Sequence, residues 1–104
     1  NVESVPSGWQ VDAVPSGFKK LFEMRRTISS KKIPLVHIVY SDGLAGISIF
    51  IEKISQVKEV PGLSSQGAVH MYSRLVGENL VTVVGEVPPR TVIQVADSVR
   101  FAGG

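Results

Sequence analysis

The sequence predicts an α+β fold, with a mainly antiparallel β-sheet of about five to six strands and one C-terminal helix packed on a face of the sheet. Three observations predict it. A hairpin signal lies at the centre of the chain, several runs rich in Val and Ile alternate, and one run near the end has helical spacing. The length of 104 residues fits one domain, which we assign to residues 1–104.

The hairpin signal is Asp42-Gly43, which separates the apolar runs 34–40 and 44–53. Asp-Gly favours a tight turn because Asp and Gly tolerate positive φ. The second run alternates, as a strand does when one face is buried. Its residues on one face are Ala45, Ile47, Ile49 and Ile51. We therefore expect two adjacent core strands, joined by a turn in which Gly43 has positive φ.

Further strands are predicted on both sides of this hairpin. Their ranges are 9–14, 18–28, 68–76 and 80–87. Along the second of these, a shared face is expected for Phe18, Phe22, Met24 and Ile28. Residues 54–66 include Pro61 and Gly62, which are turn formers, so this segment is predicted to be the longest loop.

One helix is predicted over residues 92–101, closing near Gly103. Thr91 and Gln94 match the N-cap and N3 positions of a capping box. Helical spacing then places four apolar residues on one face, namely Val92, Val95, Ala96 and Val99. Because β-branched residues are mediocre helix formers, packing on the sheet must stabilise this helix.

Composition bounds the function. A net charge of +2 is too small to indicate nucleic-acid binding, and no nucleic-acid-binding motif is present. The sequence contains no Cys, which excludes disulfides and thiolate chemistry. No apolar run approaches the roughly 20 residues that a membrane-spanning helix needs. Since it lacks an initiator Met and a signal peptide, we expect the chain to be excised from a longer protein.

Catalytic and metal-binding patterns are lacking as well. The sequence has no nucleophile elbow, phosphate-binding loop or metal-ligand spacing. His37 and His70 lie on separate predicted strands and could meet across the sheet, but two His without a third ligand are weak evidence for zinc. Turn chemistry explains Asp42. We therefore expect no enzyme activity, no cofactor and no metal.

Tyr40, Tyr72 and Arg74 are the candidates for binding a protein partner at a free sheet edge, because Tyr and Arg are enriched among interface hot spots. The competing interpretation is structural. Both Tyr side chains would then pack in the core or across strands, and Arg74 would form an exposed cross-strand pair with a carboxylate.

A second candidate surface is basic. Six of the 11 basic residues fall between positions 19 and 32, where Glu23 alone opposes them. Antiparallel pairing across a turn at 29–30 is expected to bring together Arg25, Arg26, Lys31 and Lys32. The tip of this hairpin is either a solvated charged edge or a patch for an acidic protein or an anionic lipid headgroup.

Four segments together resemble the C-terminal domain of the MucB/RseB family. They are LVHIVYSDGLA at 35–45, ISIFIE at 47–52, GAVHMYSR at 67–74 and VTVVGEVP at 81–88. The start is similar too, since Trp9 precedes VPSGF at 14–18, where the family has LPxGF. Family members carry a larger N-terminal domain that resembles lipoprotein carriers. We expect it to be absent here, so its lipid recognition is not carried over.

The resemblance implies a non-catalytic, periplasmic negative regulator of the sigma-E envelope-stress response. Such proteins bind the periplasmic domain of a membrane anti-sigma factor of the MucA/RseA type and shield it from proteolysis, and lipopolysaccharide-type signals relieve the shielding. The expected partner is therefore that anti-sigma domain. The alternative is a domain that senses lipopolysaccharide or another lipid, and a homo-oligomer also stays open. The family's binding site does not map onto this sequence residue by residue.

Overall fold

The computed structural model describes residues 7–28, 33–56 and 61–103. These residues form a six-stranded sheet, a two-stranded sheet and one α-helix, which confirms the predicted α+β class and sheet size. The strands are β1 Trp9–Val11, β2 Lys19–Ile28, β3 Ile33–Ser41, β4 Gly46–Lys53, β5 Gly62–Gln66, β6 Val69–Val76, β7 Asn79–Gly85 and β8 Val99–Phe101, and the helix α1 is Pro89–Asp97.

The large sheet has the strand order β2-β3-β4-β7-β6-β5, and all its neighbouring strands are antiparallel. Strands β4 and β7 lie at its centre, and β2 and β5 form its two edges. Helix α1 packs over β6 and β7, while β1 pairs with β8 in the small sheet. We call the face under α1 the packed face; it carries Ile49 and Val83. The opposite face, which carries Phe50 and Val84, is the open face.

The core lies on the packed face, where alternate side chains of β3, β4 and β7 meet α1. Its buried members are Val36, Ile38, Ile47, Ile49, Ile51, Val81, Val83, Val92, Val95, Ala96 and Val99. The predicted buried face of β4 is thereby confirmed for its three Ile residues. Ala45 is only half-buried and precedes the strand.

The hairpin between β3 and β4 has the predicted turn residues but a longer loop. Gly43 has the expected positive φ, +96°. Four residues, 42–45, separate the strands, because the carboxylate of Asp42 organises the loop. Its Oδ1 accepts hydrogen bonds from the backbone N–H groups of Leu44 (2.9 Å) and Ala45 (2.8 Å). These bonds also lower the pKa of Asp42 and confirm its turn role.

Both predicted ends of the helix are wrong. Helix α1 begins at Pro89, after Pro88 as N-cap, and no side chain caps it, so the predicted capping box at Thr91 does not form. Pro is favourable in the first turn because its missing N–H would have no intrahelical partner there. The helix ends at Asp97, and β8 follows because it pairs with β1. Val99 is nevertheless buried, as its spacing predicted.

Two strands also differ from the prediction. Residues 62–66 were predicted as loop but form β5, which pairs with β6 along its whole length. In β2, the pairing register shifts between Lys20 and Phe22, which is a β-bulge. Phe18 consequently packs against the core, whereas Phe22 and Met24 both lie on the open face, so the predicted shared face is confirmed for Phe22 and Met24 and wrong for Phe18. Among the described residues, no helix is long and apolar enough to cross a membrane.

Candidate functional site

Arg74 lies on β6 and reaches the C-terminal end of α1. Its guanidinium donates a hydrogen bond from Nη1 to the carbonyl of Ala96 (3.2 Å), and its Nε lies 3.5 Å from Oδ1 of Asp97. A cation is favourable at this end of a helix because the last carbonyls carry partial negative charge. About one third of the Arg74 side chain is still exposed (33%), so it can also contact a partner.

Tyr40 and Tyr72 both lie on the packed face and are half-buried against the core. Burial raises the pKa of the Tyr40 hydroxyl. The two residues occupy β3 and β6, which are separated by β4 and β7. Three strand spacings place them about 14 Å apart, too far for one shared contact. Tyr72 and Arg74, by contrast, are next-but-one neighbours on β6 and form a single surface beside α1.

The basic residues of β2 do not converge where they are described. Arg25 and Arg26 are consecutive in a strand and therefore point to opposite faces. Arg25 donates to the carbonyl of Ser7 (3.0 Å), whereas Arg26 contacts the sulfur of Met24 (2.8 Å). The predicted turn at 29–30 and the other two members of the patch, Lys31 and Lys32, lie outside the described residues.

Glu23 organises a polar cluster that the sequence analysis missed. This carboxylate is 5% exposed and accepts hydrogen bonds from the backbone N–H of Ser7 (2.7 Å), from the Ser7 hydroxyl and from Nζ of Lys20 (2.8 Å). Burial opposes its ionisation, but the bonds from Lys20 and Ser7 outweigh burial, so the pKa of Glu23 is lowered. The bond from Glu23 raises the pKa of Lys20.

The bulge in β2 explains why this cluster was hidden. Residues three apart in a regular strand point to opposite faces, so Lys20 and Glu23 should not meet. The register shift after Lys20 adds one residue to the strand and brings both side chains to the same side. A sequence signal for this bulge is lacking, because Leu21, the extra residue, fits an ordinary strand.

His37 and His70 lie on opposite faces of the sheet and do not meet. The ring of His37 stacks on Phe50 on the open face, with centroids 4.3 Å apart, and the edge of Phe22 approaches it. Neither ring nitrogen of His37 has a hydrogen-bond partner among the described residues. Burial of the ring and, to a smaller extent, the positive charge of Arg26 lower the pKa of His37. On the packed side, Nδ1 of His70 lies 2.6 Å from the Ser65 hydroxyl oxygen.

The open face carries two adjoining hollows. One, of about 250 Å³, is lined by Ser64, Ser65, Gln66, Val69, Met71 and Val84. The next, of about 200 Å³, is lined by Phe50, Glu52, Met71, Thr82 and Val84. Because they share Met71 and Val84, the hollows form one shallow groove from β5 to β4. No described layer of this chain covers the groove.

Known proteins with similar sequences are regulators of sigma factors. The sigma-E factor regulatory protein RseB of Salmonella typhimurium is 32% identical over 105 residues, which cover 94% of this chain and 33% of that protein. The sigma factor AlgU regulatory protein MucB of Pseudomonas aeruginosa is 33% identical over 96 residues, covering 88% of this chain and 30% of that protein. The chain thus spans about a third of these curated relatives.

Solved structures share the fold. A crystal structure of MucB in complex with MucA(peri) has a TM-score of 0.79 and 31% identity, covering 96% of this chain and 38% of that one. The Pseudomonas aeruginosa MucA/MucB complex also gives a TM-score of 0.79, with 30% identity over 100% of this chain and 38% of that one.

A family model adds the boundaries of the match. The model for the MucB/RseB C-terminal domain matches residues 3–100, which include the large sheet, α1 and all of the small sheet except Phe101. The match agrees with the resemblance carried by the four segments of the sequence. This chain therefore belongs to the MucB/RseB C-terminal domain family.

Proposed function

We propose that this chain is a non-catalytic module that binds the periplasmic region of a membrane anti-sigma factor. The observation that carries the proposal is the likeness of 96% of this chain to MucB in a complex with MucA(peri). In this proposal the chain acts in the periplasm as a negative regulator of a sigma-E-type stress response. Binding shields the anti-sigma factor from the protease that would start its destruction.

The β6 surface formed by Tyr72 and Arg74 is our candidate for part of the contact. Both side chains are partly exposed and fixed in place, Tyr72 by packing on the core and Arg74 by its bonds to α1. Fixed aromatic and Arg side chains lose little conformational entropy on binding, which favours them as contact residues. Tyr40 is the third candidate and lies three strands further along the face, on β3, beyond β7 and β4.

Calorimetric titration tests the proposal. The folded 104-residue chain is titrated with the periplasmic region of MucA, and saturable binding is expected. Tyr72→Ala is expected to weaken binding at least tenfold while the chain stays folded, with a lower Tm because Tyr72 packs against the core. Leu44→Ala, in the exposed hairpin loop, serves as the control (97% exposed). A folded chain that does not bind would refute the proposal. Loss of binding only together with unfolding would assign Tyr72 to packing instead.

The lipopolysaccharide alternative has weaker support. Arg25 and Arg26, the two members of the predicted patch that the structure describes, point to opposite faces of β2. The larger hollow of the open face, about 250 Å³, is also below the roughly 300–1,000 Å³ typical of small-molecule pockets. Titration of the same chain with lipopolysaccharide fragments separates the two functions, since saturable binding there would favour the lipid-sensing alternative.

A further inference from the structure

The two edges of the six-stranded sheet are unequal. Within the part of the chain that the structure describes, each edge strand pairs on one side only, so alternate backbone N–H and C=O groups along its other side point away from the sheet. Such an edge is a template for another strand, and proteins commonly guard it with charges, Pro or a bulge. Comparison of β2 with β5 shows which edge is guarded.

Strand β2 has two of these guards. Four of its residues are basic, namely Lys19, Lys20, Arg25 and Arg26. The bulge at Leu21 interrupts the regular spacing of its backbone groups. An extended peptide that paired with β2 would lose register at the bulge and would meet positive charge on both faces. Strand β2 is therefore a poor template.

Strand β5 has none of them. Its sequence, GLSSQ, contains no charged residue and no Pro, and its register with β6 is unbroken from Gly62 to Gln66. All five residues are exposed, including Leu63 at 49%. The backbone of β5 thus pairs with β6 on one side, and no strand among the described residues pairs with its other side. These are the properties of an edge that accepts a strand.

The hollow beside β5 adds side-chain selectivity. Ser64 and Gln66 form its rim at the edge, and Val69, Met71 and Val84 form an apolar floor. Its volume of about 250 Å³ suits one large side chain better than a whole small-molecule ligand. Since none of the described lining residues is charged, an aliphatic or aromatic side chain fits the hollow better than a charged one.

We propose that β5 is the docking edge, where an extended, mostly uncharged segment of the partner pairs as a seventh strand. One apolar side chain of that segment lies across β5 at the rim of the hollow formed by Ser64 and Gln66, and points toward the side chain of Met71. The inference rests on the proposed function, because it takes the periplasmic region of the anti-sigma factor as the partner. It adds which edge is used, in which backbone conformation the partner binds, and what kind of side chain anchors it.

Amide hydrogen exchange of the unmodified chain is the first test. The chain is compared alone and saturated with the periplasmic region of MucA. Exchange at residues 62–66 is expected to slow at least tenfold in the complex, whereas exchange along β2 stays unchanged. Protection of β2 without protection of β5 would overturn the inference, and so would slowed exchange at β5 in concentrated chain alone, since that would mean pairing between two copies.

Substitution at the edge is the second test. Ser64→Lys places a charge at the rim of the hollow on an exposed residue, and is expected to raise the Kd at least tenfold with an unchanged Tm. Leu21→Lys is the matched control, because Leu21 is exposed (62%) on the opposite edge, and no change is expected there.

The outcomes separate the two proposals. If the unmodified chain does not bind at all, the proposed function fails and the docking edge fails with it. If it binds, but Ser64→Lys has no effect and β5 is not protected, only the docking edge is wrong. Should Ser64→Lys unfold the chain, the exchange pattern of the unmodified protein still decides.

Discussion

The packed face and the open face of the large sheet are built from the same strands but from different side chains. The packed face is almost entirely Ile and Val under α1, with Ile49 and Val83 fully buried. The open face mixes aromatic, Met, Ser and Thr side chains and is half-buried at most positions, as at Phe50 and Val84. The alternation of each strand thus separates a face that packs under α1 from one that no described layer of the chain covers.

The largest expected difference between the faces is at two neighbouring Val residues of β7. Val83→Ala removes methyl groups from a fully buried position and should lower the free energy of unfolding by roughly 2–3 kcal/mol. Val84→Ala, on the open face, should cost less than about 1 kcal/mol because the site is already partly hydrated. Urea unfolding measures both. Equal losses would show that the open face is covered in solution.

Gly85 and Gly46 differ in how much space their backbone leaves for a side chain. A Cβ at Gly85 would lie 2.6 Å from the carbonyl oxygen of Gly46, so Gly85→Ala must displace backbone of the central strands. A loss of roughly 1–3 kcal/mol is expected. Gly46→Ala is the matched control, since its Cβ would meet only the Tyr40 carbonyl at 3.9 Å. Thermal melts that rank Gly46→Ala as the more damaging change would contradict the packing described here.

Glu23 gives the packed side an acid-sensitive element. Its folded pKa lies below the ordinary value of 4.5, so its stabilisation is present above pH 4.5 and is lost as the pH falls through the folded pKa. Glu23→Gln should cost about 1.5 kcal/mol at neutral pH, because hydrogen bonds to a charged acceptor are lost. Plots of Tm against pH for the parent chain and for Glu23→Gln should converge at acidic pH. Parallel plots for parent and variant would show that the carboxylate charge is irrelevant.

The smallest expected effect is at His37 on the open face. Its folded pKa is below the ordinary 6.5, so the fold favours the neutral ring and loses stability as the pH falls below 6.5. His37→Phe removes two ring nitrogens that no described residue bonds, and should stabilise the chain by less than about 1 kcal/mol. Melts at pH 7.5 and 5.5 should show a smaller drop in Tm for the variant than for the parent.

The sequence predicted those strands in which buried apolar residues alternate with partly exposed ones. The alternating Ile residues of β4 and the positive φ of Gly43 are confirmed. Strand β5 was missed because GLSSQ has neither β-branched residues nor apolar alternation, and its extended form depends on pairing with β6. The end of α1 was missed because the helical spacing continues to Val99, which is buried from a strand instead.

The contacts of the candidate site were harder to predict than the strands, because they join residues that are distant in the sequence. Alternation indicated a carboxylate partner for Arg74, but that partner is Asp97 of α1 and not a neighbouring strand. The cluster around Glu23 requires a β-bulge, and no residue in this part of the sequence is typical of a bulge. The unguarded edge at β5 likewise becomes visible only when the strand order is known.

The pairing of β1 with β8 has a consequence for the order of folding. Trp9 lies opposite Phe101, so nearly the whole chain separates these partners. Closing so long a loop has a high entropic cost unless the intervening chain is already compact. The hairpins of the large sheet, whose strands are close in sequence, can form before that closure. We therefore expect the small sheet to assemble after the transition state, so that mutations in it accelerate unfolding and leave the folding rate almost unchanged.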